Sequence, residues 1–322
     1  MPGTDPAETM RVVAGELPDF PHLPELPDRG PGADLTGRTA GLLVGIAAEV
    51  TPRGWRLAER PGRDLVRARS MLSSDLDVME EVLQGFRGPL KIQLCGPWTL
   101  AATLELPRTM NAALADPGAV ADLAASLAEG AAAHAADVAK RVPGADLVVQ
   151  FDEPALPAVT AGTVPTASGL SRLPPVPADM AAEVLATVLA ATAPRYTVVH
   201  CCAAAVPFGI IKGAGADCVA FDLSRLRRAD EERVAVAAEA GLGLLAGAPG
   251  AAAEPEGARQ IAERVSGLCR RLGLPPAAAG PQVVITPACG LAGAAPDRAR
   301  EALTRCRQAA AMLPEMIEET GT

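Results

Sequence analysis

The spacing of apolar and polar positions predicts helices that alternate with strands along the whole chain. Apolar residues recur every three or four positions in seven segments, which is the period of an amphipathic helix: 37–50, 62–86, 117–141, 178–192, 228–239, 254–272 and 296–312. Short apolar runs between these segments predict seven strands near 55–57, 92–95, 147–151, 197–200, 218–221, 242–246 and 283–286. Such alternation is typical of parallel βα units.

This order favours an α/β fold of the (β/α)8 TIM-barrel type, which needs eight strands. No residue before Gly37 has strand character, so we expect the first strand to lie upstream of Met1. A doubly wound sheet is the alternative, but no glycine-rich phosphate loop opens a predicted helix. Residues 1–36, rich in Pro, Asp and Gly, are predicted to form an extended segment, and residues 37–322 a single barrel domain.

The composition narrows the classes of function. The chain carries a net charge of −9 and no basic cluster, which argues against binding to nucleic acid or to an anionic membrane. It has no apolar run long enough for a membrane span and no signal-peptide pattern at its start. Its seven cysteines are an odd number, unlike a disulfide framework, and predict a protein of the reducing cytoplasm.

Residues suited to metal binding follow three of the predicted strands. His200 and Cys202 end one strand and point to the same side of it, because side chains alternate along a strand. Cys289 ends another strand, and Asp222 a third. One imidazole, two thiolates and a carboxylate would form a four-coordinate Zn²⁺ site. The carboxyl ends of barrel strands are also where active sites lie.

Each of these residues also has a plainer interpretation. A lone His-x-Cys is typical of a core histidine beside a buried thiol, and only the addition of Cys289 and Asp222 favours a metal site. Aspartate is the least common zinc ligand of the set. The remaining five cysteines are predicted to pack in the core: Cys95, Cys201, Cys218, Cys269 and Cys306.

A second candidate region is Gln-Phe-Asp-Glu-Pro-Ala-Leu at 150–156, where two carboxylates follow a buried strand. Asp152 is expected to meet a positively charged substrate amine at the barrel mouth. Acids at strand ends also cap the following helix, and Glu153 could pair with an arginine. Trp98 follows the turn-forming pair Gly96-Pro97 and is either a pocket wall or a packing anchor.

Together these motifs resemble the C-terminal catalytic domain of cobalamin-independent methionine synthase. The matching stretches are the segment at 150–156, His-Cys-Cys at 200–202, Phe-Asp-Leu-Ser-Arg at 221–225, Pro-Ala-Cys-Gly-Leu at 287–291, Gly-Pro-Trp-Thr at 96–99 and the opening Pro-Gly-Thr-Asp. They cover nearly the whole chain in order. Singly, only the zinc set and the Asp-Glu-Pro-Ala motif are specific.

The resemblance implies a zinc-dependent enzyme that methylates the thiol of L-homocysteine to give methionine. It implies that His200, Cys202 and Cys289 bind catalytic zinc, and that Asp222 stands where the family has a glutamate ligand. Asp152 falls on the carboxylate that binds the homocysteine amino group. We expect Glu153 and Trp98 to contact the substrate as well. The expected methyl donor is a methyl-folate or a methyl-corrinoid protein.

Three departures from the family pattern keep two alternatives open. The strand ending in Gly-Ser that helps hold the amino acid is absent, as is the N-terminal half that helps bind polyglutamylated folate. The family's catalytic histidine follows the strand at 242–246, where this chain reads Ala-Gly-Ala-Pro-Gly at 246–250. Neither of the other two histidines replaces it, because His22 falls in a predicted loop and His134 in a predicted helix. The alternatives are alkyl transfer to another small thiol and a catalytically silent zinc-binding barrel.

Overall fold

Six parallel strands form one curled sheet in the computed structural model, which describes residues 1–248, 256–275 and 282–319. The strands of the described residues are β1 (Ala47–Thr51), β2 (Gly54–Ala58), β3 (Gly88–Cys95), β4 (Ala145–Asp152), β5 (Tyr196–Cys201), β6 (Cys218–Asp222), β7 (Gly243–Ala248) and β8 (Val283–Pro287). The sheet runs from β3 to β8 in chain order. Every pair of neighbours is parallel, so all six carboxyl ends meet at one edge.

Helices follow every strand of the sheet. The α-helices of the described ranges are α1 (Pro6–Glu16), α2 (Leu35–Ala40), α3 (Arg63–Val82), α4 (Pro97–Thr103), α5 (Pro117–Arg141), α6 (Leu156–Thr160), α7 (Ala178–Ala191), α8 (Phe208–Gly213), α9 (Arg228–Glu239), α10 (Ala258–Arg271) and α11 (Pro296–Glu319). The predicted α/β fold with parallel βα order is therefore confirmed. It takes the form of a partial barrel of six strands, and the full eight-stranded barrel is not seen in the described residues.

The sheet is buried on both faces, as parallel sheets usually are. The larger core lies between the sheet and the helices, and it includes Leu90 and Ile92 of β3 and Phe151 of β4. A smaller cluster fills the concave side near the amino ends of the strands, where Val148 packs with Phe20. Because side chains alternate along each strand, the polar residues near the carboxyl ends also face the concave side.

The segment between the second and third helices differs from its prediction. The predicted helix at 37–50 corresponds to α2, which ends at Ala40, and β1 begins at Ala47. Between them Gly45 adopts a φ of +73°, which does not continue a helix. The predicted strand at 55–57 belongs to β2, which pairs antiparallel with β1 and not with the barrel sheet. Valine and threonine near the end of β1 favour this hairpin.

The N-terminal segment also differs from its prediction, because α1 lies within residues 1–36. Asp5 accepts hydrogen bonds from the backbone N–H groups of Ala7 and Glu8, and Pro6 occupies the first turn, which together start a helix. The proline-rich stretch that follows is extended as predicted and runs beside β3: the N–H of Leu23 donates to the carbonyl of Lys91 at 2.9 Å. The division into two parts at residue 36 stays a prediction.

Helix α1 joins the two ends of the chain. It packs against α3 and α11, and Glu16 accepts hydrogen bonds from Arg300 Nε and Thr304 Oγ1, each at 2.6 Å. Val13 of α1 also packs against Leu291, which lies in the loop after β8. The loop that carries Cys289 is thereby held against the first helix.

The other predicted helices are close to those observed. The bounds of α5 and α9 agree with the predicted 117–141 and 228–239, and α3 and α7 differ from their predictions by a few residues at their ends. The predicted helix at 296–312 continues to Glu319. The prediction at 254–272 corresponds to α10, and its first two residues lie outside the described residues.

A buried ion-pair cluster joins α3 to the segment before it. Asp75 of α3 accepts two hydrogen bonds from Arg29, at 2.8 and 2.7 Å, and one from Arg38 at 2.6 Å. The side chains of Asp75 and Arg38 are only 2% and 3% exposed. Breaking a buried ion pair by removing one partner leaves the other charge uncompensated, which is strongly destabilising.

We therefore expect Asp75→Ala to lower the free energy of unfolding by about 3–5 kcal/mol. Asp77→Ala on the same helix is the matched control, since Asp77 pairs with Arg141 at the surface and is 66% exposed. That variant should lose less than about 1 kcal/mol. Urea unfolding followed by circular dichroism measures both, and equal losses would contradict a dominant role for the buried cluster.

Candidate metal centre

His200, Cys202 and Cys289 meet at the carboxyl edge of the sheet. One ligand atom from each residue lies within 4.8 Å of the others, and the two sulfur atoms are 3.4 Å apart. His200 lies on β5, Cys202 follows that strand directly, and Cys289 lies in the loop after β8. His200 and Cys202 are partly buried and Cys289 is exposed, so the group can be reached from solvent.

The two thiols have opposite tendencies to ionise. The pKa of Cys289 is lowered, first by the hydrogen bond that its sulfur shares with Cys202 and then by the nearby charge of His200. The pKa of Cys202 is raised by the same shared proton and by burial. The pair therefore offers one thiolate readily, and a cation would favour loss of the second proton.

Asp152 holds the imidazole of His200 from the neighbouring strand. Its Oδ1 atom lies 2.7 Å from His200 Nδ1, and the two residues are paired in the register of β4 and β5. Burial lowers the pKa of His200, but the hydrogen bond and the charge of Asp152 raise it more, and its pKa lies above the usual value. Asp152 itself is 7% exposed.

Asp222 was predicted as the fourth ligand and does not join this group among the described residues. Its carboxylate instead caps the short turn after β6. Oδ1 accepts hydrogen bonds from the backbone N–H and the hydroxyl of Ser224, at 2.9 and 2.6 Å. Oδ2 pairs with Arg225 Nε at 3.3 Å. In this conformation both carboxylate oxygens of Asp222 serve the turn after β6.

Glu153, predicted to contact substrate, is fully buried and caps α4. Its carboxylate accepts hydrogen bonds from the backbone N–H groups of Trp98 and Thr99, at 2.8 and 2.7 Å, and from the Thr99 hydroxyl at 2.7 Å. The N-terminus of a helix attracts negative charge. A Cβ atom at Gly96 would lie 2.4 Å from Glu153 Cδ, so this approach needs glycine. Glu153 is thus a helix cap and does not face the site.

Trp98 was also predicted as a substrate contact, with a packing anchor as the other interpretation. It is 1% exposed, and its indole Nε1 donates to the backbone carbonyl of Ala181 in α7 at 2.9 Å. The structure therefore supports the packing anchor. A contact between Trp98 and a substrate stays a prediction.

Gln150 was missed as a functional residue in the sequence. Its Nε2 atom donates to Asp152 Oδ1 at 2.8 Å, and the side chain is buried. The signal was available: Gln150 is a polar residue two positions before Asp152 in an apolar strand, so both face the same side. Lys91 and Gln93 show the same pattern on β3 and lie on the same concave side.

The remaining cysteines and histidines do not belong to the group formed by His200, Cys202 and Cys289. Cys95, Cys201, Cys218, Cys269 and Cys306 are all buried, which confirms their prediction as packing residues. His134 is buried in α5, and burial lowers its pKa to about 4. The backbone of His22 forms an isolated parallel bridge with Lys91, near the middle of β3. In the segment at 246–250, Pro249 and Gly250 lie outside the described residues.

Burial of Glu153 has a consequence for the pH dependence of stability. Burial raises its pKa to about 7, although the hydrogen bonds from Thr99 and Trp98 act in the opposite direction. A carboxyl group with a higher pKa in the folded than in the unfolded state binds more protons when folded. Its contribution to stability is therefore present at low pH and is lost as the pH rises through its folded-state pKa.

We expect the free energy of unfolding of the wild-type protein to fall between pH 5 and 8 by on the order of 2 kcal/mol more than that of Glu153→Gln. The amide of the variant does not titrate, so it removes this one contribution. Denaturant unfolding of both proteins across this pH range measures the difference. Parallel pH profiles would show that Glu153 does not change its protonation there.

The chain was compared with known proteins. The family model described as the catalytic domain of cobalamin-independent synthase matches residues 99–312. A search of curated protein sequences found no match. These matched residues include all three donors of the metal group, together with Asp152 and Gln150.

Two solved structures share the fold. One is a B12-independent methionine synthase from Shewanella sp. W3-18-1 in complex with selenomethionine: the identity is 15%, the TM-score 0.54, and the match covers 76% of this chain and 67% of the other. The second is named as a vitamin-B12-independent methionine synthase from Listeria monocytogenes, with 12% identity, a TM-score of 0.59, and 97% and 86% coverage.

The family match spans well over half of the chain, in the order of motifs that the sequence showed, and the two solved structures have the same fold. The chain therefore belongs to the family of the cobalamin-independent methionine synthase catalytic domain.

Proposed function

We propose that this protein is a zinc-dependent methyltransferase that transfers a methyl group to the thiol of L-homocysteine and so forms methionine. The observation that carries the proposal is the meeting of His200, Cys202 and Cys289 at the carboxyl edge of the sheet. Enzymes built on parallel βα barrels have their active sites at that edge. Family membership supports methyl transfer as the reaction.

The donor set suits zinc. One imidazole nitrogen and two thiolate sulfurs are typical zinc ligands, and three protein ligands leave a position open for a substrate atom, as catalytic zinc sites do. Zinc held by these residues would lower the pKa of a substrate thiol and supply a thiolate near neutral pH. Among the described residues no fourth protein donor joins the group, which is in keeping with an open position.

The chain's own side chains position the substrate and hold charge. Cys202 and Cys289, when both are ionised, keep the site rich in negative charge, which favours a nucleophilic sulfur. Asp152 would bind the ammonium group of homocysteine, since both of its side-chain hydrogen bonds end on Oδ1. The burial of Asp152 strengthens such an ion pair. Holding the thiol and the ammonium together orients the sulfur toward the methyl donor.

The proposed methyl donor is a methyl-folate or a methyl-corrinoid protein, and both remain part of the proposal.

No helix in the described parts of the chain is long and apolar enough to cross a membrane. A location in the cytoplasm stays a prediction from the odd number of cysteines.

Cys289→Ser should abolish zinc binding and methionine formation, because hydroxyl oxygen is a far weaker zinc ligand than thiolate. We expect about one zinc per chain in the wild-type protein, and a small fraction of that in the variant. Inductively coupled plasma mass spectrometry on the purified proteins gives the ratio.

Cys201→Ala is the matched control, because Cys201 is buried and lies outside the group of three donors. It should keep its zinc. Equal zinc content in Cys289→Ser and in the control would sink the assignment of the metal site. Stoichiometric zinc without methionine, when both methyl donors are supplied, would favour the catalytically silent barrel.

L-homocysteine should protect the zinc-loaded protein from thermal unfolding more than 4-mercaptobutyrate, which has the thiol and the carboxylate but no ammonium. At about 100 times its Kd, a ligand adds roughly 2.7 kcal/mol to the free energy of unfolding. Differential scanning fluorimetry over a concentration series compares the two thiols. Equal protection would favour the alternative in which another small thiol is the substrate.

A further inference from the structure

We propose that Asp152 is a positioning residue for His200, that Gln150 holds Asp152 in place, and that this chain of hydrogen bonds presents His200 Nε2 to the metal. The inference rests on the proposed function, because it concerns the same metal group. It adds a role for Asp152 besides binding of the substrate amine, and it brings Gln150 into the site.

The hydrogen bond with Asp152 fixes which imidazole nitrogen of His200 carries a proton. An ionised carboxylate only accepts hydrogen bonds, and Asp152 Oδ1 lies 2.7 Å from His200 Nδ1. The Nδ1 atom must therefore carry the proton of that bond. The lone pair of neutral His200 then lies on Nε2, which is the nitrogen left to act as a ligand. Partners of this kind commonly set the tautomer and the ring orientation of metal-binding histidines.

The strand ends that carry Asp152 and His200 are held rigidly together. Asp152 and His200 are neighbours in the register of β4 and β5. Just beyond Asp152, the backbone N–H of Glu153 donates to the carbonyl of His200 at 2.7 Å. The backbones of the two strand ends are thus held together independently of the side chains. Only the rotation of the Asp152 carboxylate remains to be fixed.

Gln150 supplies that restraint. Its Nε2 donates to the same oxygen, Asp152 Oδ1, at 2.8 Å. The orientation of the amide follows from the chemistry, since only its NH₂ group can donate to a carboxylate. Gln150 and Asp152 are both buried, so loss of the bond leaves polar atoms without water to replace the partner.

One carboxylate would then serve two groups. Oδ1 is occupied by the metal-binding histidine and by Gln150, and the proposed function has Oδ2 facing the substrate ammonium. A change at Asp152 should therefore alter affinity for the metal even when no substrate is present. This expectation separates the positioning role from a role in substrate binding alone.

The test compares zinc affinity, by competition with a chromophoric chelator, in four variants without any thiol or methyl donor. Asp152→Ala and Gln150→Met remove the bonds, and each should raise the Kd for zinc about 10- to 100-fold, as loss of such outer partners typically does. Asp152→Asn keeps an oxygen that accepts from Nδ1, so its Kd should lie between those of the wild type and Asp152→Ala.

Gln93→Met is the matched control. Gln93 pairs with Gln150 in the register of β3 and β4 and is equally buried, at 8% exposure. Its Nε2 donates to the carbonyl of Leu23 and not to Asp152. This variant should keep the wild-type zinc affinity, even if it loses stability. A loss of zinc affinity as large as that of Gln150→Met would show that the affinity falls because the core is damaged. It would overturn the proposal.

A second measurement needs neither metal nor activity. Long-range ¹H–¹⁵N spectra distinguish the two imidazole tautomers, and the chain has only three histidines. In metal-free wild-type protein at a pH where His200 is neutral, its signal should be that of the Nδ1–H form. Asp152→Ala should give a mixture of tautomers. His200→Gln identifies the signal.

The outcomes separate this inference from the proposed function. An unchanged tautomer together with an unchanged zinc Kd in Asp152→Ala would overturn the positioning role, whatever the enzyme methylates. A wild-type protein that binds zinc and shows the expected tautomer, but gains no stability from homocysteine, would leave the positioning role standing and contradict the substrate assignment.

Discussion

The parallel pairing of β4 with β5 is the constraint on which the site depends. It places Asp152 opposite His200 at the last rungs of the two strands, and the hydrogen bond from Glu153 N–H to the His200 carbonyl extends the pairing one residue further. A shift of one residue would turn every side chain to the opposite face of the sheet. This register places the imidazole of His200, the carboxylate behind it and the buried amide of Gln150 together, and the loop after β8 brings Cys289 to them.

The two adjacent acids after β4 show how one strand end serves two purposes. Asp152 faces the concave side and the histidine, whereas Glu153 turns away and accepts hydrogen bonds from the buried N–H groups at the start of α4. Gly96 makes room for that carboxylate, because any side chain there would collide with it. The loop after β3 is thereby joined to the loop after β4, and Trp98 extends the connection to α7. These contacts fix the backbone of the two loops beside the site.

Much of this architecture can be predicted from the sequence. The parts that cannot be predicted depend on local contacts that the pattern of residues does not reveal. Periodicity located most strands and six of the longer helices, α3, α5, α7, α9, α10 and α11, and the rule that parallel strands end at one edge brought His200, Cys202 and Cys289 together. It did not anticipate the hydrogen bonds of Asp222 and Glu153, since the direction of these side chains depends on the path of the loop after each strand and on local N–H groups that compete for carboxylates. The hairpin of β1 and β2 was missed because a short apolar run does not reveal its partner.

The contact between Leu291 and Val13 bears on the order in which the protein assembles. Cys289 lies two residues before Leu291, in a loop that rests on the first helix of the chain. This contact joins residues that are far apart in the sequence, and contacts of this range form late because the long intervening segment must first be closed. His200 and Cys202 are set by neighbouring strands, whereas the third residue of the proposed metal site depends on this long-range contact. With zinc bound as proposed, full metal affinity would then arise only after the loop behind β8 has docked on α1.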